Sequence, residues 1–221
     1  LDLIERGEVG PLAALRTAGQ LLGQSHISAM LIVGVDSYLS PARLDKFECD
    51  DRIATDNNSN GFIPGEGASA LVVTRNAPSG DALEVVCLAE GAEKSHIDSG
   101  CPTRADGLAG CLKEIMARDP DVFQDSNDLF LSVTGEQFYF KEVSLSLARN
   151  VRNKLGDFEY HHSVEATGRA GAASVTNDIA FCLTRARRMK LPAKSFLFLV
   201  TSDGQDRGAA HLKWLGGDHG Q

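Results

Sequence analysis

The chain has 221 residues, of which 43% are hydrophobic and 24% charged, and a formal net charge of −8. This composition suits one large domain or two small ones with a substantial core, and it excludes a disordered chain. The acidic balance argues against nucleic acid or an anionic membrane as the main partner, and no apolar run approaches the roughly 18 residues of a membrane helix.

Pro11 suits the first turn of a helix, and Leu12, Leu15, Ala18 and Leu22 fall on one face, which predicts a helix over 11–24. "AMLIVGVD" (29–36) is continuously apolar, as in a strand buried on both faces. A polar loop follows to about Gly61. "ASALVVT" (68–74) and "ALEVVCLAE" (82–90) read as strands, and the turn-forming "NAPSG" between them predicts an antiparallel pair. The composition shift near Gly80 marks the one internal boundary. A helix is expected around 104–118, with Leu108, Leu112 and Ile115 inward and Pro120 closing it. "DLFLSV" (128–133) reads as a strand. Val143, Leu147, Val151 and Leu155 step by four, a helical stripe ended by Gly156. "FEYHHSVEA" (158–166) alternates like a strand. A helix over 169–187 follows, with Pro192 ending its connection to "SFLFLVT" (195–201). A last strand lies near 209–215, after the loop "SDGQDRG". Strands alternating with helices, with hairpins attached, define a mixed α/β sheet layered by helices.

The five cysteines, Cys49, Cys87, Cys101, Cys111 and Cys182, are odd in number and include no C-x-x-C. That argues against a disulfide framework or zinc site and for reduced thiols in the cytoplasm. Cys87 and Cys182 sit among apolar neighbours and read as core. "GEGASA" (65–70) satisfies G-x-G-x-x-A, but it follows a loop and opens a strand, so no helix N-terminus is offered to a pyrophosphate. His161 and His162, as strand neighbours, would point to opposite faces and could not share a metal. Asp50, Asp51 and Asp56 read as a solvated acidic loop. Arg185, Arg187, Arg188 and Lys190 suit a helix C-terminus, with a basic docking patch as the alternative. No metal and no cofactor is expected.

"EATGRAGAAS" (165–174) sets one cation, Arg169, among residues of almost no side-chain volume. This stretch joins others in a resemblance to the β-ketoacyl synthases of the thiolase-like superfamily. "GFIPGEGASALVV" (61–73) resembles that family's G-F-x-x-G-E/D-G-A block, and "AMLIVGVDSYLSP" is similar to the strand before it. "TGRAGAAS" (167–174) resembles the G-H-x-x-G/E-A-A-G motif. "SDGQDRGAAHL" (202–212) resembles the terminal S-F-G-F-G-G-T-N loop, and "LSVTGEQ" (131–137) falls at the N/E-A-H-G-T position. The resemblance covers nearly the whole chain in collinear order.

It implies an α/β fold of thiolase-like layered αβαβα architecture. Residues 81–221 would form the C-terminal half and residues 1–80 the remainder of an N-terminal half, with the earlier strands and helices of that half absent. It also places family positions on this chain. The nucleophilic cysteine falls on Glu8, the first histidine on Thr134 and the second on Arg169. The family lysine falls near Val164 or Glu165, the gating phenylalanine on Gln205 and the loop asparagine on Ala209. Phe62, Gly204, Gln205 and Gly208 would line a substrate pocket. Glutamate cannot hold an acyl thioester, arginine keeps its proton, and threonine is no base near neutrality. If Glu8 and Arg169 converge, they form an ion pair. The resemblance therefore implies a catalytically degenerate ketoacyl-synthase-like subunit in a homo- or heterodimer, with acyl carrier protein as a further candidate partner. The alternatives are an acyltransferase or malonyl decarboxylase of altered chemistry, or a non-catalytic acyl-binding module.

Overall fold

A short 3-10 turn, Gly7–Val9, leads into helix α1 (Gly10–Leu22), which has Pro11 in its first turn and buries Leu12, Leu15, Ala18 and Leu22. The computed structural model describes residues 2–24, 26–76, 81–151, 158–189 and 194–216. Strand β1 (Ala29–Ser37) is followed by helix α2 (Pro41–Cys49) and strand β2 (Glu66–Thr74). β1 and β2 form an antiparallel ribbon with Ala29 opposite Thr74 and Ser37 opposite Glu66. Then come β3 (Ala82–Ala92), α3 (Asp106–Arg118), α4 (Val122–Asp125), β4 (Ser126–Leu131), α5 (Gln137–Asn150) and β5 (Glu159–His161). The chain continues with α6 (Val164–Thr167), α7 (Ala172–Met189), β6 (Ser195–Thr201) and β7 (Asp206–Leu215).

The second sheet has the order β3-β7-β6-β4-β5. β4 runs parallel to β5 and β6, while β7 is antiparallel to β6 and β3. Period-two alternation along β6 divides the core. Phe196, Phe198 and Val200 pack with Leu12 and Leu15 of α1 and with Val175, Ile179 and Cys182 of α7. Leu197 and Leu199 pack on the other face with Leu108, Leu112 and Ile115 of α3 and Val143 and Leu147 of α5. The layers are therefore an outer helical pair, the five-stranded sheet, the pair α1 and α7, and the ribbon. Close packing of α7 on the ribbon needs Gly34, because a Cβ there would lie 2.6 Å from the Ala172 carbonyl oxygen.

Several expectations change. β1 is covered on one face only: Leu31, Val33 and Val35 are 65%, 56% and 66% exposed, whereas Ile32 is buried. Among the described residues nothing lies over that outer face, so the apolar run reads the same from either side but is buried on one. β2 and β3 do not pair with each other; they belong to different sheets. The expected turn "NAPSG" falls in the connection between the two sheets. Residues 77–80 of that turn, with the boundary near Gly80, lie outside the described residues, as do Leu155, Gly156, Lys190 and Pro192. Helix α2 occupies the expected polar loop; its one buried residue, Phe47, gave no periodic stripe. The expected strand over 158–166 is three residues long, and from His162 the chain turns into α6, so His162 is not a strand neighbour of His161. Arg169 precedes α7 instead of opening it.

Candidate functional site

Arg169 lies in an extended segment laid along the loop before β2. Its amide donates to the Ile63 carbonyl at 2.7 Å, and its carbonyl accepts from Gly65 at 2.9 Å. This close approach is why the flanking residues are small. A Cβ on Gly65 would meet the Thr167 carbonyl oxygen at 2.5 Å.

The guanidinium of Arg169 is 2% exposed. Its Nε and Nη2 each lie 2.7 Å from Glu8 Oε1, and Nη2 also lies 2.8 Å from Asp203 Oδ1. Glu8 is placed by the turn before α1 and also accepts from the Tyr38 hydroxyl at 3.2 Å. Arg52 forms a second, parallel clamp. Its Nε and Nη2 donate to the two oxygens of Glu136 at 2.7 and 3.0 Å, and Nη2 reaches Asp203 Oδ1 at 2.9 Å. The Tyr139 hydroxyl donates to the same Asp203 oxygen, and Thr134 Oγ1 donates to Glu136 Oε2 at 3.0 Å. Phe62 lies between the two cations, with its ring centre 5.1 Å from the Arg169 guanidinium carbon and 5.6 Å from that of Arg52. Both geometries fall within cation–π range.

The network thus holds two guanidinium groups against three carboxylates. Burial pushes the Asp203 carboxyl up, but Arg169, Arg52 and the Tyr139 hydrogen bond outweigh it and hold the group well below the usual carboxylate range. Burial opposes the charge on Arg169, yet Glu8 and Asp203 keep it protonated far above any working pH. Burial raises the Tyr38 and Tyr139 phenols well above 10.

A cavity of about 150 Å³ adjoins the network, lined by Ala54, Gly61, Ile63, Val133, Thr134, Gly135, Phe140, His162, Val164, Glu165 and Arg169. The structure therefore brings Glu8 and Arg169 into contact and sets Thr134, Val164 and Glu165 around one cavity with Arg169. Gly204, Gln205 and Gly208 do not line it. Gly204 and Gln205 are exposed; their carbonyls accept from Arg207 Nη1 and the Glu93 amide. Gly208 and Ala209 are buried in β7. Phe62 is the aromatic spacer of the ion network and is not a wall of the cavity. Arg52, Glu136, Tyr139, Tyr38 and Asp203 were missed from the sequence. The available signal was a spacing: Glu136 stands at the N-cap of α5 and Tyr139 three residues on, in its first turn.

None of the five thiols belongs to this network. Cys87, Cys111 and Cys182 are buried in the two cores, and burial pushes the Cys111 thiol up to about 12. Asp128, Glu159 and His161 could converge on an ion, but cationic side chains already occupy them. Asp128 is paired with Arg185, Lys194 and His161, and Glu159 with Arg185. Burial opposes ionisation of Asp128, yet His161 and Lys194 pull it down to about 2. Arg187 pairs with Asp81. Much of the basic patch expected at the end of α7 is thus engaged in ion pairs. Among the described residues no helix is long and apolar enough to cross a membrane.

The layered sheets and the two helices between them are the thiolase-like fold of the ketosynthases. A chain from a type II polyketide synthase complex of an acyl-carrier protein with its ketosynthase superposes with a TM-score of 0.77 at 14% identity, over 96% of this chain and 62% of that one. A β-ketoacyl synthase from Burkholderia phymatum STM815 gives 0.77 at 13% identity, over 96% and 61%. A chain from the Xenorhabdus doucetiae complex of a ketosynthase with its chain length factor gives 0.75 at 15% identity, over 93% and 58%. The chain therefore spans about three fifths of the length of these solved chains. At such identities the likeness is one of fold. No family model and no curated protein matches the sequence.

Proposed function

We propose that the chain is a ketosynthase-like subunit that does not condense acyl groups and serves as the structural partner of a cysteine-bearing ketosynthase-like chain. One observation carries the reading: Arg169 is buried, and its Nε and Nη2 are committed to Glu8 and Asp203. Condensation requires a thiolate that can carry an acyl group, and neighbours able to cycle a proton or donate to a developing oxyanion. Here the position that resembles the nucleophile's carries a glutamate, the positions that resemble the two histidines' carry Thr134 and Arg169, and all three are held by internal hydrogen bonds. Residues 1–80 would be the remainder of an N-terminal half of the fold and residues 81–221 its C-terminal half. Similar solved chains come from complexes of a ketosynthase with a chain length factor or with an acyl-carrier protein, which favours a ketosynthase-like chain and an acyl-carrier protein as the kinds of partner to test.

The test is co-expression with a cysteine-containing ketosynthase, followed by affinity capture and size measurement. The captured complex is then incubated with malonyl and acyl thioesters and analysed by intact mass. Stable capture, with acyl adducts only on the cysteine-containing partner, supports the reading. An acyl adduct on this chain, or CO₂ release from malonyl thioester by this chain alone, overturns it in favour of altered catalysis.

A further inference from the structure

A groove of about 1290 Å³ runs between the two sheets, and consecutive residues of two strands border it, 71–76 at the end of β2 and 81–88 at the start of β3. Inward and outward positions of both strands take part, so strand edges rather than strand faces form its walls. Its floor includes Leu15 of α1 and Ile179 and Leu183 of α7. Leu71, Val73, Leu83 and Leu183 lie against the core of α1, α7 and β6 but are only half-buried. The core therefore continues into the groove without being covered there.

The molecule itself shows what such an edge takes. A helix, a strand and an antiparallel strand occur in that order twice, as α1–β1–β2 and as α7–β6–β7. In the second unit β3 closes the edge of β7 as an antiparallel strand, from Ala82 opposite Leu215 to Ala92 opposite Asp206. Among the described residues β2 pairs with β1 alone, so its corresponding edge is open. Residues 70–74 ("ALVVT") carry no charge, no proline and no bulge, the devices that blunt an edge. The β3 wall does carry them: Glu84, and a register shift between Val85 and Cys87. β2 is the wall suited to strand addition.

Charge orients the added strand. Of the five charged side chains on the walls, three are already paired: Arg16 with Glu90, Arg118 with Glu114 and Asp81 with Arg187. Arg75 is exposed at the end of β2, donates to the Leu22 and Gln24 carbonyls at 2.7 Å each and, among the described residues, makes no ion pair. In an antiparallel pairing the residue opposite the end of β2 is the first of the added segment. An acidic residue at that place meets the unpaired cation.

We propose that this groove docks an extended segment of a partner protein, added antiparallel to β2, with an acidic residue at its start and apolar side chains at alternate positions packed on Leu71, Val73 and Leu183. Residues 71–76 span about 20 Å as a strand, which sets the segment at about six residues. The inference goes beyond the subunit reading and does not depend on it, since any chain bearing such a segment satisfies it.

The probe is the peptide acetyl-EVTVTVK-amide, labelled with a fluorophore on its C-terminal lysine. Titrated with the 221-residue protein, its anisotropy should saturate with a Kd below about 1 mM. Methylating one alternate set of its backbone amides should abolish binding and methylating the other should not, since only one set faces β2. Arg75→Glu should weaken binding by at least about tenfold, and acetyl-KVTVTVK-amide should regain it on that variant. Leu183→Glu, which puts a carboxylate on the floor, should weaken binding to a similar degree. Melting curves of both variants establish that they are folded. No saturation at about 1 mM protein, equal effects of the two methylated sets, or an unchanged affinity in folded Arg75→Glu would each overturn the assignment. Saturable binding of laurate that displaces the peptide would overturn it in favour of an acyl chain, and dimerisation that excludes the peptide would overturn it in favour of a second copy. Capture of a ketosynthase and binding of the peptide are read separately, so the two proposals fail independently.

Discussion

Arg169 and Glu8 stand 161 positions apart in sequence, yet Nε and Nη2 of the one converge on a single carboxylate oxygen of the other at 2.7 Å. Both side chains are buried, so each ion relies on the other for the solvation it lost on folding. Breaking such a pair costs more than the pair contributes, because the survivor stays buried and uncompensated.

Arg169→Met should destabilise the protein by ~3–5 kcal/mol, since it leaves Glu8 buried without a cation and Asp203 with Arg52 alone. Glu8→Gln should cost less, because Asp203 and the Tyr38 ring still hold the guanidinium. Urea denaturation of both singles and the double variant gives the coupling between them. Equal effects of the two singles would show that Asp203 does not share the load.

Asp203→Asn tests the same network through pH. Its folded carboxyl lies below the usual range, so the stabilisation is present above the unfolded pKa of about 3.9 and is lost as pH falls through the folded value. The variant should lose about 2–3 kcal/mol at neutral pH, a value reduced because the side chain is 24% exposed. Melts across pH should show a constant gap between wild type and variant down to about pH 5, a gap that begins to narrow only below the unfolded pKa of about 3.9 and that is still largely present at about pH 3.

Asp178 should behave in the opposite sense. Burial in α7 raises its carboxyl from 3.8 to about 6, and its side chain is 4% exposed. The folded state therefore binds a proton that the unfolded state has already released between these values. Its contribution is full below about pH 4 and lost as pH rises through about 6. Asp178→Asn should stabilise the protein by about 2–3 kcal/mol at pH 7 and have little effect near pH 4. A destabilised variant at pH 7 would indicate that the carboxylate has a partner worth more than its desolvation.

Thiol labelling checks the burial of the cysteines. A maleimide should add to the exposed Cys49 and Cys101 in the native protein and to all five thiols once it is unfolded. Rapid native labelling of Cys87, Cys111 or Cys182 would contradict the core packing.

Neighbouring positions on β1 should separate sharply. Leu31→Lys, on the open face, should change stability by less than about 0.5 kcal/mol and reduce self-association. Ile32→Ala, one residue on and buried, should cost ~2–4 kcal/mol. Similar costs at both positions would mean that the outer face is covered in solution.

The fold was readable wherever a periodic stripe or an apolar run was long. The helical face of Leu12, Leu15, Ala18 and Leu22 and the strand "SFLFLVT" both appear where the pattern places them. Pairing was less legible, because turn chemistry between β2 and β3 does not reveal whether the strands share a sheet. Helix α2 was hidden because it buries Phe47 alone. At the site, the Glu8–Arg169 pair could be anticipated from two unusual charges at motif positions. Arg52, Glu136 and Asp203 could not, since nothing local to "CDDRI", "TGEQ" or "SDGQ" shows that three distant loops meet. The roles that the resemblance gives Gly204 and Gln205 rest on motif alignment, and the structure puts only their neighbour Asp203 into the network.

The network also joins parts of unequal robustness. Glu8, Tyr38, Arg52 and Phe62 come from α1's approach and the ribbon side, while Glu136, Tyr139 and Asp203 come from the five-stranded sheet. β6 is buried at all seven positions and β1 on one face only. Amide protons of the ribbon should therefore exchange with solvent sooner than those of β6, through partial opening rather than global unfolding. Five charges gathered at the seam act as the clasp that makes the two exchange as one, and weakening the clasp should split a single cooperative transition into two.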